Sequence, residues 1–488
     1  FRSSEKLGDE GNLVFTGVTH DPDTIKTLIG MGYKNPERVS EIVMGWHHGS
    51  RRATRTKRAR ELLTELMPIL LKRLSETASP DDAFMKFNDF LCNLPAGVQI
   101  FSLFSINPQL LGLVADIMGS APTLAESLSK QPNLLDAVLY ADFYESLPTP
   151  KQLHTQLKEM LAGAGFEETL DRLRQFRSEK QFQAGVQLLR GMIGATQAGI
   201  FLSYLADEIL AETLRTVWEE FAITHGRITG GKFTIIALGK LGSRELTFGS
   251  DIDLVFVYDT PDADAISDGE KQFGPSVYYN RLAQRLLNAL TAMGRYGRLY
   301  EVDTRLRPSG TEGLLAVSKQ AFMQYFNESA WTFEFMAFVK ARMIDGGCTL
   351  ADELSAFTLT QLAKSRDLEK LRSDVIDMRD RIAKEFPTDD PFNIKYIRGG
   401  MIDLDFMAQY LMLKHAPTIG MALCGGVCTT LPWLLEKGAI SHDLASELIS
   451  AYPFQNQLFN MIRLCCDRAF KEETALPGLK KLLSDSVS

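Results

Sequence analysis

Apolar and polar positions follow two different rhythms along this chain. From about residue 36 to 225 the apolar residues recur at helical spacing, in LLTELMPILLKRL, around Leu110 to Met118, in LLDAVLYADFYESL and in GIFLSYLADEILAETL. Pro80, Pro95, Pro108 and Pro148 interrupt the pattern. This predicts a helical domain. Between about 226 and 348 the rhythm changes. Phe233 to Leu238 is an apolar run of strand length, and a turn carrying Gly239, Gly242 and Ser243 follows. A short helix is predicted over Ser243 to Leu246, then a second strand opening on Asp251 and Asp253. Leu282, Leu286, Leu287, Leu290 and Met293 give a helix over 281–293, which Gly294 and Gly297 break before a third strand, Leu299 to Leu306. Thr260 to Pro275, rich in Asp and Gly, reads as a loop at the rim of the domain. Residues 349–488 return to helical patterns, as in LEKLRSDVIDMRDRIAKEF. Residues 1–35 are polar and turn-rich, with Gly11, Pro22 and Gly30, and read as a linker. The expected architecture is α+β: a domain with a small mixed sheet and helices over 226–348, between a helical domain over 36–225 and a C-terminal helical bundle over 349–488.

Composition narrows the class. The chain has 488 residues, enough for about three domains, with 45% hydrophobic and 23% charged residues, an ordinary globular balance. A formal charge of −8 argues against a nucleic-acid polymerase, which needs a basic surface to follow a phosphate backbone. A protein substrate is easier to accept. No apolar run reaches the roughly 18 residues of a membrane span, and no signal segment opens the chain, so a cytoplasmic location is expected. The chain opens on Phe1, as a piece of a larger protein would. Cys92, Cys348, Cys424, Cys428, Cys465 and Cys466 lack zinc spacing and read as reduced thiols. His47 and His48 read as helix-end residues, and the basic stretch Arg51 to Arg60 as a solvated face or a dock for an acidic partner.

The segment GKLGSRELTFGSDIDLVFVY, residues 239–258, carries the strongest chemical signal. Side chains alternate along a strand, so Asp251 and Asp253 fall on one face, roughly 7 Å apart. Two carboxylates so placed can share hard cations. The preceding turn leads into a helix start, whose N–H groups and dipole suit a polyphosphate. An Asp pair can also be a solvated strand edge and a glycine turn only a turn. Joined as Gly-Ser, seven residues, then Asp-Ile-Asp, the pattern is more specific. On the third strand Glu301, Asp303 and Arg305 are expected to share a face, and Asp303 beside Arg305 and Arg307 fits a site needing a further carboxylate and positive charge. A structural strand whose acid and bases pair with one another is the alternative.

The Gly-Ser and Asp-Ile-Asp combination resembles the nucleotidyltransferase superfamily that includes polymerase β, which transfers a nucleotide monophosphate to a hydroxyl. Taken with LYEVDTRLRPSGTEGLLAVS, AWTFEFMAFVKAR, GWHHGSRRATRTKRARELL and GGMIDLDFMAQ, nearly the whole chain resembles glutamine synthetase adenylyltransferases. Members of that family carry two homologous halves, one removing AMP from glutamine synthetase by phosphorolysis and one adding it. RLRPSGTEGLLAVS and GNLVFTG resemble the C-terminal, adenylylating half. The resemblance implies a polymerase-β-like fold, ATP as donor, a glutamine synthetase tyrosine as acceptor and regulation by the PII signal protein and glutamine. It also implies Mg²⁺, as two ions, held by Asp251, Asp253 and Asp303, these being the catalytic residues. Gly242, Ser243, Lys240, Arg305 and Arg307 are the expected phosphate contacts. Gly399, Gly400, Asp403 and Asp405 match a segment that in the family reads Gly-Gly, two residues, Asp-Ile-Glu-Phe, so Asp405 stands where Glu is usual. The deadenylylating half and a non-catalytic regulatory module remain as rivals, the second weakened by three intact aspartates.

Overall fold

The computed structural model describes residues 13–15, 17, 19–77, 79–139, 141–344, 349–420, 425–466, 470 and 477–486. Cys348 and Cys424, and residues 1–12 of the expected linker, lie outside them. The chain divides into two compact units that do not follow sequence order. The first takes the chain through Ser146 with Gly185–Gly191 and the segment from Met461; the second takes Leu147–Ala184 and Met192–Asn460.

In the first unit the prolines open helices as well as ending them. Pro36, Pro80, Pro108 and Pro122 each stand at the start of a helix, where the missing N–H is not needed and the fixed φ is already helical. The same device corrects the linker reading: Asp21 caps Thr24 N at 2.8 Å and Pro22–Gly30 is a helix with Leu28 buried. Trp46, Phe84, Phe87 and Phe90 form an aromatic core, with the Trp46 and Phe84 rings 5.2 Å apart. His47 ends the helix Pro36–His47, as its position suggested. In the basic stretch Arg60 donates to the carbonyls of Thr54 and Arg55, while Lys57 and Arg58 reach Glu61 at the surface. Among the described residues no single helix is long and apolar enough to cross a membrane; the bent pair Val98–Ile106 and Pro108–Ser120 has the length together, but Phe101, Phe104 and Val114 are buried within the protein.

The second unit is a mixed α+β structure. In chain order it contains α1 (Ala195–His225), β1 (Lys232–Ala237), α2 (Gly239–Gly242), β2 (Ile252–Asp259), α3 (Pro275–Thr291), β3 (Val302–Asp303), β4 (Ala316–Ser318), α4 (Lys319–Glu328), α5 (Thr332–Val339) and β5 (Arg342–Ile344). Then come α6 (Thr349–Leu362), α7 (Leu368–Glu385), α8 (Met401–Ile419), α9 (Val427–Glu436) and α10 (His442–Cys465), the last belonging to this unit through Asn460. β1 pairs antiparallel with β2 and β5, while β2 takes β3 and β4 as parallel neighbours along its other edge. The sheet is covered on both faces, which is why β2 reads as an unbroken apolar run. Ile236, Val255 and Val257 pack with Phe338, Val339, Leu354 and Met412 of the later helices. Phe233 stacks with Phe256 and with Tyr279 of α3, and Trp218 of α1 meets it edge-on. A small mixed sheet between helical regions is thus what the sequence pattern led one to expect. α3 begins at Pro275 rather than 281, because Gly274 and Pro275 provide its entry.

Candidate active site

The glycine turn is built differently from expectation. The predicted helix over Ser243 to Leu246 is instead the single turn α2, Gly239–Gly242, immediately after β1. Gly239 has φ of +55°, which lets the strand pass straight into a helical turn. A Cβ on Gly239 would stand 2.1 Å from Asp253 Oδ2, and one on Gly242 would stand 2.1 Å from the Lys340 carbonyl oxygen. Both glycines are therefore required by close approach. The backbone N–H groups of Gly242 and Ser243 donate to Leu238 O (2.9 Å) and Gly239 O (3.2 Å), closing the turn on itself. The Ser243 hydroxyl donates to Glu245 Oε2 at 2.8 Å. Arg244 ends the turn at φ +59°, a left-handed conformation costly for a side-chain-bearing residue, and its guanidinium lies 4.3 Å over the Tyr204 ring. Lys240 lies on the same turn, its ammonium 4.4 Å from the Phe459 ring centroid.

At the far end of the turn the carboxylates meet. Asp251 is exposed just before β2, and Asp253, half-buried, is the second residue of the strand. Asp253 stands opposite Asp303 in the parallel pairing of β2 with β3. Burial first, then the charges of Asp251 and Asp303, push the Asp253 carboxyl up to about 6. Arg305 and Lys340 oppose that rise. The part of that rise contributed by Asp251 and Asp303 is repulsion that a divalent cation would relieve.

β3 is far shorter than the strand expected over 299–306. The reason is local: Asp303 Oδ1 accepts from the Arg305 N–H at 2.8 Å, turning the chain out of the sheet. Arg305 therefore does not share a strand face with Asp303. Its guanidinium instead folds back, Nε 2.8 Å and Nη2 2.5 Å from Asp303 Oδ2, and this pairing holds the Asp303 carboxyl below its usual range. Arg307 is buried and gives its donors to the carbonyls of Thr304, Thr311 and Gly313. It shapes the loop. Glu301 turns away to Arg298 at 2.7 Å.

The donor set suits a hard cation, since it consists of carboxylate oxygens crowded enough to raise one another's affinity for positive charge. It is not closed around one point: among the described residues no three acidic, imidazole or thiol groups already stand at metal-ligand spacing. Asp303 is occupied by Arg305.

Comparison with known proteins places the chain in a family. The family profile of glutamate-ammonia ligase adenylyltransferase matches residues 111–355. The chain belongs to that family. A second profile, GlnD PII-uridylyltransferase, matches residues 367–472. Proteins named bifunctional glutamine synthetase adenylyltransferase/adenylyl-removing enzyme from Mesorhizobium japonicum and Rhizobium meliloti are 43% and 42% identical to it, over 97% and 99% of its length. One from Agrobacterium fabrum is 40% identical over 99%. These matches cover 48%, 49% and 49% of the relatives, so the chain spans about half the length of the curated relatives it matches.

Sequence reasoning missed a second charged group in this family member, behind the turn. Lys340, buried, lies 2.5 Å from Asp405 Oδ1 and 3.7 Å from Glu245 Oε2. Arg342 donates to Leu241 O (2.9 Å) and Gly242 O (3.3 Å) and forms a two-pronged pair with Asp207 of α1 at 2.7 and 2.8 Å. The available signal was a charge inside an apolar stretch, Lys340 in FEFMAFVKAR and Asp405 in MIDLDFMAQYLM. Asp403, two residues before Asp405, goes elsewhere: it pairs with Arg379 and accepts from Gly399 N at 2.6 Å.

Proposed function

We propose that this chain is a polymerase-β-like nucleotidyltransferase that moves AMP from ATP to a tyrosine hydroxyl of glutamine synthetase, releasing pyrophosphate, as the adenylylating half of its family. The observation that carries this reading is the registration of Asp253 with Asp303 beside Asp251, against a turn that only glycines can form.

In this reading Asp251 and Asp253 hold Mg²⁺, with Asp303 completing the set on the hydroxyl side or accepting the hydroxyl proton. Bound Mg²⁺ supplies charge neutralisation for the triphosphate and a lowered pKa for the attacking hydroxyl. Arg305, exposed and able to swing from Asp303, is the leading phosphate contact, and Lys240 a second. Gly242 and Ser243, expected to donate to the phosphates, have their N–H groups and the hydroxyl engaged within the turn and by Glu245, so they would support the site from beneath, and Arg307 keeps the following loop in place. No residue needs to form a covalent intermediate, because phosphoryl chemistry asks mainly for position and charge. The acceptor protein, the PII protein and glutamine are proposed partners, and the cytoplasm the proposed location.

The relatives' names also include an adenylyl-removing activity, which the same carboxylates would serve. The test is directional. Supplied with ATP, Mg²⁺ and unmodified glutamine synthetase, the chain should attach AMP and release pyrophosphate. Supplied with orthophosphate and adenylylated glutamine synthetase, it should release little ADP. Brisk ADP formation without AMP attachment would assign it to the removing half.

A further inference from the structure

We propose that Glu245, Lys340 and Asp405 form a positioning clamp through which the helices α8, α9 and α10 hold the Gly239–Ser243 turn in register with Asp253. The inference rests on the reading of that turn as part of the nucleotide site. Three observations on geometry support it.

First, the clamp touches the turn directly. Ser243 Oγ donates to Glu245 Oε2, and Glu245 N donates to Lys240 O at 2.8 Å, so the carboxylate is fixed to the turn's exit. The Lys340 carbonyl fills the space that a Cβ on Gly242 would need. Second, the other end of the clamp is in the later helices. Lys340 Nζ joins Glu245 to Asp405 of α8. The buried Tyr452 side chain of α10 interacts with Glu245 as well. Gly426, the cap residue of α9, approaches so closely that a Cβ there would lie 2.4 Å from Glu245 Oε1. The carboxylate thus sits at the positive end of a ten-residue helix, which favours its charge. Third, Glu245 Oε1 is buried without a hydrogen-bond partner among the described residues, so that oxygen relies on the nearby Lys340 charge and on that helix end for compensation. Such a pair is a weak source of net stability and a strong constraint on geometry, since breaking it leaves a buried charge alone.

A clamp predicts that turn and helices open together. In hydrogen exchange on the native 488-residue chain, amides of Leu241 to Glu245 should share one opening reaction with those of Met401–Ala416 and Val427–Leu434. Turn amides that exchange through a separate opening, with these helices closed, would overturn the proposal. The second arm uses variants. Asp405→Asn should speed exchange in the turn and lower kcat for AMP transfer by roughly 10- to 100-fold, with KM for ATP changed less than about threefold. Asp405→Glu, which keeps the charge, should restore most of both. Asp403→Asn should lower the melting temperature while leaving kcat and turn exchange near wild type. If Asp405→Asn does not fold, the triple variant Lys340→Met, Asp405→Leu, Glu245→Gln removes all three charges without leaving one buried alone and should give the same loss. Wild-type exchange and kcat in a folded clamp variant, or equal damage from Asp403→Asn, would refute the clamp. If the wild type transfers no AMP, the functional reading fails, and the exchange measurements still decide the clamp.

Discussion

Two charged clusters flank the same glycine turn, and they are compensated in opposite ways. Behind the turn, Lys340 faces two carboxylates and Arg342 faces Asp207, all largely buried. In front of it, Asp251, Asp253 and Asp303 crowd together with only Arg305 in direct contact with any of them among the described ion pairs. The paired cluster is a frame, whose charges are spent on holding backbone. The front cluster, paired only where Arg305 meets Asp303, keeps the uncompensated charge that the proposed cation site calls for.

The sharpest way to break this contrast is to remove charge from the front. Asp251→Asn and Asp253→Asn should each lower AMP transfer by about a thousandfold or more, equal to roughly 4 kcal/mol of barrier. Neither should unfold the protein, because neither carboxylate holds backbone in place. Near-normal transfer in either variant would sink the assignment.

Removing the frame should cost nearly as much, by another route. The excised segment 226–348 would lose Asp207, leaving Arg342 alone, and Asp405, leaving Lys340 with Glu245 only. It would also expose Ile236, Val255 and Val339. Activity of that segment should fall at least about a hundredfold, with poor solubility. A soluble and fully active segment would mean that the frame is dispensable.

Within the front cluster, the two acids near β3 should separate. Asp303→Asn should be severely impaired, because Asp303 faces Asp253 across the ladder. Glu301→Gln should be mild, because Glu301 pairs with Arg298 at the surface. Equal losses, measured as kcat/KM, would show that the registration of β3 on β2 does not select the working carboxylate.

Legibility in the sequence followed the range of the interactions. Apolar runs and glycines are local, so the sheet core and the presence of a glycine turn between β1 and β2 could be read. The end of β3 was misread because a single hydrogen bond from the Arg305 N–H to the Asp303 side chain outweighs the apolar alternation of Leu299 to Leu306. The helical turn was placed four residues late because Gly239 adopts a conformation that periodicity does not encode. The members of the frame were marked by charges in apolar stretches, but their pairing was not legible, since the partners lie 65 residues apart for Lys340 and Asp405 and 135 apart for Asp207 and Arg342.

The pH dependence sharpens the picture of the front cluster with a smaller effect. Asp253 has a folded pKa of about 6 against the usual 3.8. Between those values the folded chain holds more protons at this site than the unfolded chain does. The contribution of Asp253 to stability therefore falls as pH rises from about 4 to about 6, and stays at the lower level above. Mg²⁺ competes with that proton. Its stabilising effect should be weakest near pH 5, grow through about pH 6 and level off above about pH 7. Thermal melts with and without Mg²⁺ check this, and Asp253→Asn should flatten the dependence. A Mg²⁺ shift that ignores pH, or survives in that variant, would place the ion elsewhere.

The smallest effect concerns Arg305, the cation that stands where Mg²⁺ would compete. Its guanidinium occupies Asp303 and is 77% exposed, so it is free to leave when a phosphate arrives. Arg305→Gln should release Asp303, whose carboxyl would rise toward its ordinary value, and should tighten Mg²⁺ binding without nucleotide by roughly threefold, the scale of an exposed ion pair. The same variant should raise KM for ATP by about three- to tenfold, because a planar donor suited to phosphate is lost. Opposite signs for the two affinities are the mark of a residue that exchanges one partner for the other. Arg307→Gln offers the contrast, because its donors serve loop carbonyls: it should lower the melting temperature and leave Mg²⁺ affinity without nucleotide near wild type. Calorimetric titration of Mg²⁺ and of ATP into both variants reads the difference. If Arg305→Gln weakens both ligands, Arg305 holds the site open rather than trading places with the ion, and the front cluster is more finished than its charge implies.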